Sequence, residues 1–410
     1  MRTKILTAVI LMLYATAAHG QKVSFGRWFT GGTLRIDCLR EGSAEGDTVW
    51  VSRWVDRVAD WHGSRTRLID PVDAGDYRVV VRDEASGRDI YSRCYSNLFR
   101  EYKDTPKGRH TKATFEETLL VPMPKRAVSI ALQKRGEDQR FVDATVVRFD
   151  PRHTRLDTVY RQGERRDLEV HGSPQKKVDV VIVAQGYDGE LPQKLSVDYY
   201  RMKEVLFGKE PFSSHRADFN VYGIKGNVGA EFGTFGTDRY LMTFNVHRLH
   251  DLLGTTPCDY IIIMVNSEAY GGGAIYNFYA VSSMHKLAEY VLPHELGHAF
   301  GGLADEYVDE ELSYASIHRS QHEPVEPNIT NLVDFGRKWL TMLPKGTPVP
   351  TPLDNDVPKN ECGPLGVYEG AGYNTKGVYR PTMHCMMRDY APFCPVCMKR
   401  LEEVFRLYTK

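Results

Sequence analysis

The sequence has no surplus of charge of either sign, with 53 Lys and Arg against 53 Asp and Glu. It has no long basic run either, so electrostatics nominate neither nucleic acid nor an anionic membrane as a partner. Beyond the first 20 residues no segment approaches the roughly 18 apolar residues of a membrane helix, so no transmembrane segment is expected after that point. There is no internal repeat or low-complexity tract, which leaves a globular reading. The partner therefore has to be argued from a site.

What is present begins with a basic start, Met1-Arg2-Thr3-Lys4, followed by an apolar run over residues 5–18 that is short for a bilayer span. Ala18 and Gly20 occupy the minus-three and minus-one positions of a cut before Gln21, and no Cys follows to be lipidated. Residues 1–20 thus read as a signal peptide and the mature chain as exported, whether secreted, periplasmic or held at the cell surface. The rival reading is an uncleaved anchor.

Seven Cys in an exported chain suggest disulfides with at least one thiol left over. They divide into Cys38 with Cys94, Cys258 alone, and a cluster of Cys362, Cys385, Cys394 and Cys397, with the connectivity open. A structural zinc on that cluster is a lesser alternative, because export usually oxidises such thiols. Cys394-Pro-Val-Cys397 has redox spacing but no thioredoxin-like βαβ pattern around it, so it is read as structural.

About 390 residues exceed one ordinary core, and two domains are expected. Residues 21–167 alternate over short segments such as 33–38, 77–82, 116–122, 128–132 and 144–149, the pattern of a β-sandwich. The polar stretch 161–177 reads as a linker. From Val178 the pattern shifts to buried-type strands at 178–184, 219–224 and 260–265, with helix-like segments at 196–207 and, as helix or loop, 242–253. Residues 168–410 are therefore expected to form an α/β catalytic domain, which makes the whole chain α+β in class.

The decisive segment is His294-Glu295-Leu296-Gly297-His298, on an amphipathic stretch near 285–300. Residues four apart on a helix differ by about 40° in azimuth and about 6 Å in height, so both imidazoles reach one Zn²⁺ at about 2.0–2.1 Å. Glu295 lies about 100° around the axis from His294, free to act as general base on a metal-bound water. Pro293 removes a backbone donor just before the ligands. Gly301-Gly302 offers the stop and turn that bring in a third ligand.

For that third ligand Asp305 is preferred to Glu306. Six residues after the second His, where metzincins carry it, stands Ala304, so Asp305 implies one extra residue in the turn. A thermolysin-type site would instead use Glu310 or Glu311. His318 and His322 repeat the four-residue spacing, but no acidic base stands between them, and they read as surface residues.

The run from His294 to Tyr307 resembles the signature of the IgA-peptidase family of bacterial metallopeptidases, a metzincin-like group. The resemblance extends to Val183-Ala184-Gln185-Gly186-Tyr187, to Tyr270-Gly271-Gly272-Gly273, and to Gly377-Val378-Tyr379-Arg380-Pro381 with Cys385-Met386-Met387-Arg388. It covers most of residues 175–405, and the first 150 or so residues resemble that family's N-terminal module. It implies zinc on His294, His298 and Asp305, with Glu295 catalytic. It also implies a Met-containing turn beneath the metal, matched by Met387 with Met386 as the neighbouring choice.

Residues 266–276 are expected to form an edge strand whose glycines leave ladder groups free for an extended peptide. Tyr307 either stabilises an oxyanion or packs under the turn. The expected function is a zinc endopeptidase acting on an extracellular polypeptide, an immunoglobulin or glycoprotein among the candidates. The alternative is a binding or adhesion protein with a non-catalytic zinc domain.

Overall fold

This computed structural model describes residues 23–158, 163–312, 314–318 and 321–408. The expected signal peptide lies outside the described residues. No helix among those described is long and apolar enough to cross a membrane.

Eight strands form two antiparallel-rich sheets in the first unit: β1 (Phe29–Ser43), β2 (Gly46–Asp60), β3 (Tyr77–Asp83), β4 (Asp89–Tyr95), β5 (Ala113–Pro124), β6 (Val128–Arg135), β7 (Phe141–Phe149) and β8 (Asp157–Thr158). Their orders are β5-β1-β2-β8 and β4-β3-β6-β7. Alternating apolar residues of both sheets, Leu34 and Ile36 of β1 with Val79 and Val81 of β3, meet in a common core, as the period of two demands. Two single-turn helices flank them, α1 (Phe25–Trp28) and α2 (Phe99–Tyr102).

The second unit is built on a mixed six-stranded sheet of order β13-β14-β12-β10-β11-β9. Its strands are β9 (Arg165–Val170), β10 (Val178–Gln185), β11 (Phe219–Lys225), β12 (Tyr260–Val265), β13 (Gly272–Ile275) and β14 (Tyr279–Ser283). Helices α3 (Pro192–Leu206), α4 (Val246–Leu253), α5 (Ala288–Gly301) and α6 (Pro395–Tyr408), with the hairpin β15 (Tyr368–Ala371) and β16 (Asn374–Arg380), complete it. The α+β class read from the sequence holds. The described part of 161–177 is not a free linker, because β9 pairs antiparallel with β11 as the edge of the second sheet.

Every residue of β10 is buried, which requires cover on both faces of the sheet. Val180, Ile182 and Ala184 face a core shared with α3, α5 and α6. Val181 and Val183 face the other way, into the same core as Leu34, Ile36 and Leu119 of the sandwich. The N-terminal unit, together with Val246, Leu249 and Leu253 of α4, therefore covers the second face of this sheet. Polar groups seal the seam: buried Arg35 bonds Asp251 at 2.6 Å, Arg57 donates to the carbonyls of Gly254 and Thr256, and His247 sits against those of Cys38 and Glu117.

None of the seven cysteines is in a disulfide. Cys38 and Cys94, grouped together by sequence position, lie on β1 and β4, which belong to different sheets.

Candidate metal centre

Helix α5 carries His294, Glu295 and His298 and ends where Gly302 adopts the left-handed φ of +61°. There the amide of Gly302 bonds the carbonyl of His298 at 2.9 Å and that of Leu303 bonds Gly297 at 3.1 Å, a glycine C-cap that turns the chain back. The turn delivers Asp305 to the two histidines. Its Oδ1 lies 3.0 Å from His294 Nε2 and 3.3 Å from His298 Nε2, and the two Nε2 atoms are 3.2 Å apart.

The histidine tautomers follow from their outer partners. His294 Nδ1 meets the carbonyl of Met386 at 2.9 Å and His298 Nδ1 that of Leu303 at 2.6 Å. A carbonyl only accepts, so both Nδ1 atoms carry the proton and both Nε2 lone pairs point at Asp305 Oδ1. That oxygen is buried without an aligned hydrogen-bond donor. Three acceptor atoms converging in this way call for a cation between them. The edge of a tetrahedron with metal–ligand distances of about 2.0–2.1 Å is about 3.3 Å, which matches the three separations.

The electrostatics agree. Burial works against charge on the imidazoles, but the Asp305 carboxylate more than offsets it and holds both up, His298 to about 9. Burial would also raise Asp305, yet the two imidazoles hold it well below the carboxylate range. Glu295, 9% exposed, has its carboxyl pushed up by burial, as suits a proton acceptor.

The other candidates separate cleanly. Glu306 is fully buried and points away from the histidines, so of the two acidic neighbours only Asp305 joins them. Glu310 is engaged by Thr375, outside the site. His318 approaches Glu326 and stands over the Tyr373 ring, and His322 is exposed; the two share no metal-type cluster among the described residues. Met387 lies directly beneath α5, where its sulfur would collide with any Cβ on Gly297, while Met386 contributes its carbonyl to His294.

The glycines of 271–273 have a different reason from the one expected. Both polar backbone groups of Gly272 are bonded to the segment 239–241, so the edge of β13 is already occupied there. A Cβ on Gly272 would stand 2.9 Å from a Glu295 carboxylate oxygen, and one on Gly271 would meet the Phe232 ring. Close packing of neighbours requires these glycines.

His294, His298 and Asp305 open on a cleft of about 710 Å³. Its walls include Tyr373 and Glu101, which no local motif reveals, beside Tyr307 of the His294–Tyr307 run. Tyr373 donates to Asp305 Oδ2 at 2.6 Å. Glu101, on α2 of the sandwich unit, accepts from Tyr240 at 2.7 Å, and burial raises its carboxyl to about 7. Tyr307 lines the cleft and packs edge-on to Tyr373, and burial keeps its phenol protonated.

A family model described as IgA Peptidase M64 matches residues 167–228, 224–363 and 357–405, more than half of the chain. The chain belongs to the IgA Peptidase M64 family. The family's N-terminal model, Peptidase M64 N-terminus, matches residues 24–145. As a member of this family the protein is a zinc metallopeptidase, a hydrolase whose substrate is a polypeptide. Among solved structures, an archaemetzincin from Methanopyrus kandleri is 21% identical, over 32% of this chain and 76% of that one, with a TM-score of 0.22. No curated protein matches the chain.

Proposed function

We propose that the protein is an exported zinc endopeptidase in which His294, His298 and Asp305 hold the ion and Glu295 is the general base. The convergence of two Nε2 lone pairs and a donorless carboxylate oxygen on one point carries this reading. Bound zinc would lower the pKa of a coordinated water toward neutrality and polarise the scissile carbonyl. Glu295 takes the proton from the attacking water and hands it to the leaving amine. Met386, Leu303 and Tyr373 fix the ligands, and the cleft seats the peptide.

The features of residues 1–20 support export. The substrate is an extracellular polypeptide such as an immunoglobulin or glycoprotein, and the size of the cleft suits an extended chain. In this reading residues 168–410 are the catalytic domain, and residues 21–167 form a module that covers its sheet and contributes Glu101 to the cleft.

Metal analysis joined to proteolysis of a denatured-protein mixture tests the proposal. Parent and Glu295→Ala are both expected to carry zinc, with only the parent cleaving. If the parent and Glu295→Ala cleave equally, the base assignment fails. If His294→Ala/His298→Ala has the same zinc content as the parent, the ligand assignment fails.

A further inference from the structure

Behind the catalytic ligands lies a second group of metal-type side chains, formed by Glu306, Cys385, Cys394 and Cys397. One ligand atom from each lies within 4.8 Å of all the others. All four residues are 0% exposed. They come from three places: the turn after α5, the methionine turn, and the N-terminal end of α6. Cys362, grouped with these cysteines by sequence proximity, stays out; it is half-buried, with its thiol against the carbonyl of Pro392. Glu306 takes the fourth place.

We infer that this cluster is a second, structural metal site that binds zinc through three thiolates and the Glu306 carboxylate. Cys385 Sγ and Cys397 Sγ are 3.7 Å apart, and Cys397 Sγ is 3.4 Å from Glu306 Oε1. A tetrahedron with Zn–S of about 2.3 Å and Zn–O of about 2.0 Å has edges of about 3.8 Å and 3.5 Å. A disulfide would bring two of the sulfurs to about 2.05 Å. Glu306 Oε1, the oxygen beside Cys397, also accepts from Asn328 Nδ2 at 2.8 Å, which orients the carboxylate, and Oε2 is buried without a hydrogen-bond partner.

The surroundings suit thiolates. The backbone amide of Cys394 donates to Cys385 Sγ at 3.3 Å. Three thiolates and a carboxylate around a divalent ion leave net negative charge in the interior, which needs a nearby cation. Arg380, 3% exposed, acts on Glu306 electrostatically while spending its own hydrogen bonds on the carbonyls of Glu369, Gly370 and Met383. Binding is balanced as a proton exchange, in which each thiol gives up its proton as its sulfur takes the ion, with no redox step. Complete burial keeps oxidants from the sulfurs.

Asp305 and Glu306 are consecutive, and the amide of Glu306 bonds the carbonyl of Met387 at 2.7 Å. The second ion would thus tie the loop bearing the third catalytic ligand to the methionine turn and to α6. It stands apart from the catalytic ion, so either assignment survives the loss of the other.

The test uses the full mature chain. Elemental analysis is expected to find two zinc per chain in the parent and one in His294→Ala/His298→Ala. The cobalt(II)-loaded parent and that variant should both show the near-ultraviolet thiolate-to-cobalt charge-transfer band that a site of two histidines and an aspartate cannot give. Alkylation after denaturation in chelator should find Cys385, Cys394 and Cys397 all reduced. A parent with one zinc that is lost in the histidine variant, a cobalt protein without the charge-transfer band, or a disulfide among the three cysteines would each overturn the inference. The cobalt spectrum of the parent needs no substitution, so it decides the question even where a variant folds poorly.

Discussion

Tyr373 is held at a φ of +69° and gives its hydroxyl to the Asp305 oxygen that faces away from the histidines. Partners of this kind orient a ligand and raise its basicity, and removing one typically costs about 10–100-fold in metal affinity. Tyr373→Phe is expected to lose about that much zinc affinity, measured by chelator competition, while the folded far-ultraviolet spectrum is unchanged. Gly272 imposes the opposite kind of constraint, because the space its missing Cβ leaves is filled by Glu295 and Val291. In Gly272→Ala the base is displaced, and about 100-fold lower kcat/KM is expected with zinc content unchanged. An unaltered rate would show that Glu295 has slack. His294, Glu295 and His298 are legible in the sequence because one helix turn carries them all. Asp305 is legible as one of two neighbours, and only the turn geometry separates it from Glu306. Tyr373, Tyr240 and Glu101 reach the same cleft from distant segments of the chain, and no local spacing announces them.

At the scale of elements, α5 is the helix proposed to carry two metal ligands, and its stop matters as much as its length. Gly302 closes it with left-handed backbone and with the Tyr276 ring 3.1 Å from where a Cβ would sit. Gly302→Ala is expected to cost about 1–2 kcal/mol in urea unfolding, since an L-residue resists that conformation. It should also weaken zinc binding, because the carbonyl of Leu303 that holds His298 moves with the turn. A loss of stability with zinc affinity unchanged would confine the cap to folding. Buried strands such as β10 and β12 announce themselves by apolar runs, interrupted in β10 only by Asp179 and the terminal Gln185. β9 does not: Arg165, Arg166 and Asp167 sit on an edge paired to β11 on one side only, so its composition is that of a linker. The edge strand β13 lies within the expected 266–276, but the reason for its glycines is not legible, since they are chosen by what crowds them.

Across the whole molecule, the seam between the units holds unusual charge. Asp179 and Asp259 lie beside His62, and burial raises both carboxyls to about 7 while lowering His62 to about 3. These carboxyls bind protons more tightly folded than unfolded. The stability they contribute is complete below the ordinary carboxylate range and is lost as pH rises through about 7. Asp259→Asn keeps an acceptor for the amide of Asp179 and cannot ionise. It is expected to flatten the fall in urea midpoint between pH 5 and pH 8 and to be the more stable protein at pH 8, by on the order of 2 kcal/mol. Parallel pH profiles for parent and variant would place the titration elsewhere. The presence of two units is legible from the change in strand pattern near Val178. Their union is not, because no one-dimensional signal says that the sandwich shares with α4 in covering the second face of β10.

That union bears on descent. Arg35, Arg57 and His62 on one side of the seam and Asp251, Gly254, Thr256 and Asp259 on the other have to be inherited together. A swap of the leading half between distant relatives would strand cations in the interior and strip a wall from the cleft. New specificities should therefore arise by drift in surface loops, with the two halves passing down lineages as one piece.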